Sequence, residues 1–279
     1  MNLGHYNQLE ILRETDPGLY LADEQGNEVL LPHKYKPEHY QIGQELEVFV
    51  YKDNEGRPIA TTLRPEAVVG EFAYLRCSEQ TKHGAFMEWG IEKDLFVPFK
   101  EQARKMNPGS WYTVFIYIDP QTERLTGSSK TKKYTSNDQI ELKKYDKVEV
   151  LVTHITERGA NVIVNGKHDG LIYIENIFED IRSGDRIPAY VKKIRSDNKI
   201  DLVLQQEGYR SIEPNADFLL EEIEMAGGFL ALTDKSDPEE IKQLLGMSKK
   251  SFKKALGTLY KARKVVIEKD GISLNESPD

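Results

Sequence analysis

The stretch Gly84-Ala85-Phe86-Met87-Glu88-Trp89-Gly90-Ile91-Glu92-Lys93-Asp94-Leu95-Phe96-Val97-Pro98-Phe99-Lys100-Glu101 decides how this chain is read, because its pattern occurs three times. GLYLADEQGNEVLLPHKY begins at Gly18 and GANVIVNGKHDGLIYIEN at Gly159, and both align with GAFMEWGIEKDLFVPFKE. Each copy opens on a glycine, alternates large and small side chains, breaks at turn residues and resumes as an apolar run. A second glycine then opens another alternating run, at Gly43 in GQELEVFVYKD, Gly109 in GSWYTVFIYID and Gly184 in GDRIPAYVKKI. The two glycines stand 25 residues apart in all three copies, and a loop-containing interval held constant in this way marks an internal repeat.

Within one copy, short alternating runs separated by turns predict a small antiparallel barrel. In the third, Val148, Val150 and Val152 mark a first strand, Ala160 to Val164 a second and Leu171 to Ile174 a third. Ile187, Ala189 and Val191 mark a fourth, and Ile200, Leu202 and Leu204 a fifth. Five strands in so short a span suit an OB-fold, a Greek-key barrel whose second and third strands commonly face oligonucleotides. Asp53-Asn54-Glu55-Gly56 and Ser196-Asp197-Asn198 supply the turns that fourth-to-fifth-strand hairpins need.

From Asn215 the apolar period turns helical. Ala216, Leu219, Leu220 and Ile223 share a face, and Gly227-Gly228 ends it. A second helix is read from a capping box of Ser236 with Glu239 and stops near Gly246. A third starts after Ser248 and is expected to bury Phe252, Leu256, Leu259 and Tyr260. Val265 to Ile267 and Ile272 to Leu274 then flank the hairpin turn Lys269-Asp270-Gly271. Three helices and a hairpin predict a winged helix-turn-helix. The fold class is therefore mainly β, with three tandem five-stranded OB-fold barrels followed by an α+β winged helix. The expected domains are 1–65, 66–135, 136–212 and 213–279.

The glycine turn, the G-A-F-like strand, the L-(I/V)-x-I strand and the second glycine resemble the ribosomal S1-type RNA-binding domain, most clearly in copies two and three and less so in copy one. Three such copies followed by a winged helix resemble the bacterial CvfB/YitL family of RNA-binding regulators. That resemblance implies a protein engaging single-stranded RNA in post-transcriptional regulation of gene expression. It also implies aromatics at three positions of each copy. These hold His83, Phe86 and Val97 in copy two, Arg158, Asn161 and Tyr173 in copy three, and Pro17, Tyr20 and Leu31 in copy one. Phe86 is read as a base-stacking residue, with packing against a neighbouring barrel as the alternative. His83 is read as a stacking or a solvated turn residue, and Arg158 with Tyr173 as a phosphate contact beside a stacking ring.

Six residues after each second glycine stands another aromatic, Phe49, Phe115 and Tyr190. Period-2 alternation turns these away from their own cores, which predicts contacts between barrels in preference to extra stacking surface. The formal net charge is −8, which argues against indiscriminate coating of nucleic acid. Residues 1–65 hold 6 basic against 11 acidic side chains, whereas the other three segments are near balance. Basic residues gather at Lys192, Lys193, Arg195 and Lys199 in copy three. They gather again between Ile241 and Ile267, where eight Lys or Arg occur with no acid. There Lys250, Lys253, Lys254, Lys261 and Lys264 fall at helical spacing opposite the apolar face, on the helix that would be the recognition helix.

Catalysis has little support. The phosphate-cradling Gly-x-x-x-x-Gly-Lys-Ser/Thr pattern is missing, and the 6 histidines show no metal-ligand spacing. No cofactor, metal, membrane or small-molecule substrate is expected, and the single Cys77 fits a reducing cytoplasm. The expected partner is single-stranded RNA, held chiefly by the third copy and the winged helix. Two alternatives are a transcription regulator that binds DNA through the winged helix, and a scaffold for the ribosome or other proteins.

Overall fold

In the computed structural model, which describes residues 1–177, 180–204 and 214–275, the three repeats are three closed barrels. The first comprises β1 (Tyr6–Thr15), β2 (Gly18–Ala22), β3 (Glu28–Pro32), β4 (Glu45–Lys52) and β5 (Pro58–Thr61). The second comprises β6 (Phe72–Gln80), β7 (Gly84–Glu88), β8 (Leu95–Pro98), β9 (Trp111–Ile118) and β10 (Leu125–Ser128). The third comprises β11 (Lys147–Thr156), β12 (Gly159–Val164), β13 (His168–Tyr173), β14 (Arg186–Ile194) and β15 (Ile200–Val203). Around each barrel the order is first, second, third, fifth, fourth strand. Parallel pairing of the third and fifth strands closes the cylinder, as at Leu30↔Ile59 and Thr126↔Phe96. Closure removes the exposed sheet edges that so many short strands would otherwise present.

The repeated glycines have local causes. A Cβ built on Gly18 or Gly159 would lie 2.0 Å from the carbonyl oxygen of Leu31 or Ile172, so the second and third strands approach this closely only without a side chain. The second glycines Gly43, Gly109 and Gly184 have φ of +87°, +80° and +100°, a backbone region that glycine enters at little cost.

Residues 1–204 form one compact unit. Phe49 turns away from the core of its own barrel and is fully buried among residues of the second. Its ring meets Trp89 edge-on, with centroids 5.8 Å apart and planes at 82°. Phe115 makes the corresponding junction between barrels two and three. It stacks on Tyr134 at 4.0 Å, packs on Phe72 at 4.9 Å, and joins a cluster with Leu151 and Ile163 of the third barrel. Gly184 adds to that second junction, since a Cβ there would lie 2.3 Å from the Tyr74 ring. Tyr190, the third member of the series, is half-buried on β14.

The second compact unit carries α1 (Pro214–Met225), β16 (Phe229–Leu230), α2 (Pro238–Leu245), α3 (Lys249–Lys261), β17 (Val265–Ile267) and β18 (Ile272–Leu274). Leu219, Ile223, Ile241, Leu245, Phe252, Leu256, Leu259 and Ile272 make its core. The winged helix-turn-helix is present, with three local corrections. The wing is a three-stranded sheet in the order β16-β18-β17, the extra strand being too short to show in the hydrophobic pattern. The cap of α2 is Asp237, whose carboxylate accepts from the Glu239 N–H at 2.9 Å, with Pro238 opening the helix. The Ser236 hydroxyl instead accepts from the Thr233 amide, within the preceding turn. Tyr260 is 56% exposed, because Phe252, Ala255, Leu256 and Leu259 already define the buried arc and the next residue lies about 100° beyond it. The expected boundary at 212/213 lies outside the described residues, as do 276–279 of the winged-helix segment.

Replacing Phe49 by Ala is expected to cost about 3–5 kcal/mol, the usual penalty for emptying an aromatic site in a packed core. Chemical denaturation of the full chain checks this, with Tyr190→Ala, at a half-buried position, expected to cost clearly less.

Candidate nucleic-acid interface

The pairing of β7 with β8 settles which side chains face outward on the second barrel. Phe86 lies directly across from Phe96, and Ala85 across from Val97. Val97 is fully buried, so the position named from the repeat alignment belongs to the core. The aromatic of this strand is Phe96, one residue earlier, and its ring lies 5.2 Å from that of Phe86 at 45°. The same geometry explains the mismatch with copy three. Tyr173 pairs with Gly159, where Pro98 pairs with Gly84 and Pro32 with Gly18. Tyr173 therefore corresponds to Pro98, and the residue corresponding to Phe96 is Leu171. A one-residue slip moves a side chain to the other face of a strand, which is why alignment alone missed Phe96.

Phe86 and Phe96 face a cleft of about 720 Å³, also lined by His83. That size lies within the roughly 300–1,000 Å³ usual for ligand sites. Its lining includes Lys52, Lys82, Lys93, Lys100 and Arg124 against only two carboxylates, Asp94 and Asp119. Asp94 accepts from the Ser78 hydroxyl, and Asp119 lies 3.9 Å from Lys100. Apolar rings flanked by cations satisfy the two requirements of single-strand binding, a flat surface for bases and positive charge for phosphates.

The first barrel supplies part of this lining through the turn between β4 and β5. Lys93 donates to the carbonyl oxygens of Lys52 at 2.8 Å and Asp53 at 2.9 Å, while Arg124 donates to that of Asn54 at 3.3 Å. The Trp89 indole N–H donates to the Lys93 carbonyl at 2.6 Å, tying this lock to the ring that meets Phe49. Burial lowers the Lys93 ammonium from its ordinary value, the nearby Arg124 charge acting the same way. Burial likewise pushes the Tyr51 phenol, at the cleft wall, up to about 12, so it remains a neutral hydroxyl at physiological pH.

The other sequence-selected residues lie elsewhere, and most are engaged. On the third barrel Arg195 donates to Asp201 at 2.8 Å and to the Tyr173 hydroxyl, and its guanidinium lies 5.7 Å from the Tyr173 ring centre. Tyr173 is thus already covered by a cation of its own barrel. Lys199 pairs with Asp197 at 2.6 Å. Arg158 is exposed in the turn before β12, and Lys192 and Lys193 sit at a bulge of β14 with Lys193 exposed. On the winged helix, Lys250, Lys253, Lys254 and Lys261 are exposed on α3, and Lys253 lies 3.8 Å from Asp234. Of the twelve residues selected from sequence, the cleft brings together His83 and Phe86. Among the described residues no group of three or more His, Cys, Asp or Glu could hold a metal ion, and no helix is long and apolar enough to cross a membrane.

Comparison with known proteins agrees with this architecture. The S1 domain model matches residues 3–63 and 69–128, and the CvfB-like winged helix domain model matches 217–274. The chain joins S1 domains to a CvfB-like winged helix. The S1 match takes in the first barrel, which the residue pattern placed as the weakest copy, while the third barrel shares the S1 repeats' strand order. Among relatives, the uncharacterized protein YitL of Bacillus subtilis is 26% identical over 282 residues, covering 96% of this chain and 92% of that one. Conserved virulence factor B of Staphylococcus aureus is 23% identical over 251 residues, covering 85% of this chain and 81% of its own. A crystal structure of a multidomain protein with nucleic acid binding domains from Streptococcus pneumoniae aligns over 98% of both chains, with 24% identity and a TM-score of 0.43.

Lys93→Met would remove the donor that holds the β4–β5 turn. Amide hydrogen exchange of residues 52–58 is expected to accelerate while that of β9 is unchanged, at a cost of about 1–3 kcal/mol for the lost charge-assisted bonds. Exchange measured by mass spectrometry checks both halves of this expectation.

Proposed function

We propose that this protein binds single-stranded RNA and acts as a post-transcriptional regulator without catalysing a reaction. The cleft of the second barrel carries this reading, because it sets the Phe86–Phe96 pair among five cationic side chains. Bases would stack on those rings, with His83 at the edge and Lys82 and Lys100 on the flanking phosphates. The exposed Arg158, Lys193, Lys250, Lys253, Lys254 and Lys261, with the half-buried Lys192, would add phosphate contacts. Lys199 can join them by exchanging its Asp197 partner, since exposed ion pairs are worth only about 0–1 kcal/mol, whereas Arg195 and Tyr173 would act together as the buried Asp201 holds them. A regulatory role rests on the CvfB-like winged helix and on relatives named for virulence. The shallow barrel faces favour RNA over duplex DNA, because splayed single-stranded bases reach such surfaces and paired bases do not.

Fluorescence anisotropy with 5′-labelled single-stranded RNA tests the proposal. Phe86→Ala and Phe96→Ala are each expected to weaken binding about tenfold, at the lower end of the 1–3 kcal/mol a stacked base contributes. Lys253→Ala with Lys254→Ala should weaken binding and reduce the salt slope by about 0.7 for each phosphate that is no longer neutralised. Salt-independent or undetectable RNA binding by the wild-type chain would refute the reading. Efficient displacement of RNA by a duplex DNA competitor would favour the DNA-binding alternative.

A further inference from the structure

We infer that the turn between β4 and β5 of the first barrel is a wall of the base-binding cleft on the second, making one composite site from two barrels. This rests on the reading of that cleft as a nucleic-acid site and assigns the first barrel a task within it. Three observations converge. The first barrel is acidic in composition, with 6 basic against 11 acidic residues in 1–65, which disfavours a polyanion over most of its surface. Its counterpart of Phe86, Tyr20, is covered by the Arg13 guanidinium 4.4 Å from the ring centre, and Arg13 is held by Glu28 at 2.6 Å. The β4–β5 turn, in contrast, reaches the neighbour's cleft and places Lys52 and Asn54 in its lining.

The turn is held there from both sides. Lys93 and Arg124 of the second barrel bond its carbonyl oxygens, as described above. From within, the Asp53 carboxylate accepts from the amides of Glu55 and Arg57, each at 2.9 Å, which fixes the loop's shape. A wall whose backbone is ordered before the ligand arrives reduces the conformational entropy lost on binding. Its chemistry differs from that of the phenylalanine side. The Asn54 amide can donate to and accept from the edge of a base, and Lys52, now paired with Glu123 at 2.8 Å, can turn to a phosphate. The occupant is thus a single nucleotide of the strand, its base against the Phe86–Phe96 rings and its edge and phosphate towards the first barrel.

The full-length chain and 5′-fluorescein-labelled octauridylate and octaadenylate provide the test. Asn54 is exposed, so Asn54→Trp fills the mouth of the cleft from the first barrel without disturbing either core, and an unchanged thermal melt verifies this. Asn54→Trp is expected to weaken binding about tenfold or more, and Lys52→Gln about threefold. The double variant Asn54→Trp/Phe86→Ala should bind no more weakly than the weaker single variant, because both act on one bound nucleotide. If Asn54→Trp and Lys52→Gln bind like wild type while Phe86→Ala weakens binding, the composite wall is refuted and the RNA reading stands. Fully additive losses would place the turn's effect away from the Phe86 nucleotide and also refute it. If Phe86→Ala and Phe96→Ala leave affinity unchanged, the reading of the cleft itself fails, and the inference with it.

Discussion

A phenylalanine that belongs by sequence to one barrel and by packing to the next governs the first half of this molecule. Phe49 sits on β4, pairs in register with Tyr6, and is fully buried against Trp89 of the second barrel. Burying such a ring contributes about 1.5–3 kcal/mol, and Tyr51, Tyr6 and Ile59 of the first barrel pack in the same cluster. Its larger consequence is geometric. With Phe49 seated beside Trp89, the turn that follows β4 reaches Lys93 and Arg124, whose bonds to three of its carbonyl oxygens hold it at the cleft. Core packing thereby sets the shape of a surface site.

The same device serves the second junction with different partners. Phe115 occupies the matching position of β9 and stacks on Tyr134, which follows the second barrel, rather than on a tryptophan within the next one. Each of these two outward aromatics thus seals its barrel against a neighbour by a locally chosen contact. Such a series fits a repeat array, in which stability comes from each unit and from its interfaces with adjacent ones.

Much of this was legible in the residues, since periodicity and fixed spacing report the backbone directly. The 25-residue glycine interval marked three equivalent barrels, and the glycines prove to be where strands approach too closely for a Cβ or where φ is positive. What was illegible depended on register. Phe96 and Val97 are adjacent and both apolar, and only the pairing of β7 with β8 tells which one faces out. Local competition was equally hidden. Ser236 and Asp237 are both good helix caps, and the choice went to Asp237 because the Ser236 hydroxyl serves the preceding turn. Clusters of charge were visible in sequence, but the internal pairing of Arg195 with Asp201 and of Lys199 with Asp197 was not.

Net charge describes such an array poorly, because each barrel presents its own face. A chain at −8 can still hold five cationic side chains around one aromatic cleft, since screening at physiological salt confines exposed charges to about 8 Å. The carboxylates of the first barrel then need not repel a strand that meets only the turn after β4. In that turn, Asp53 directs its charge to the amides of Glu55 and Arg57 and to the Arg57 guanidinium, leaving Lys52 and Asn54 to face the cleft. Repeating one fold along a chain therefore does not repeat one binding surface. A barrel of acidic composition whose Tyr20 is covered still presents a hairpin, and a hairpin pinned to a neighbour becomes part of the lining of that neighbour's cleft.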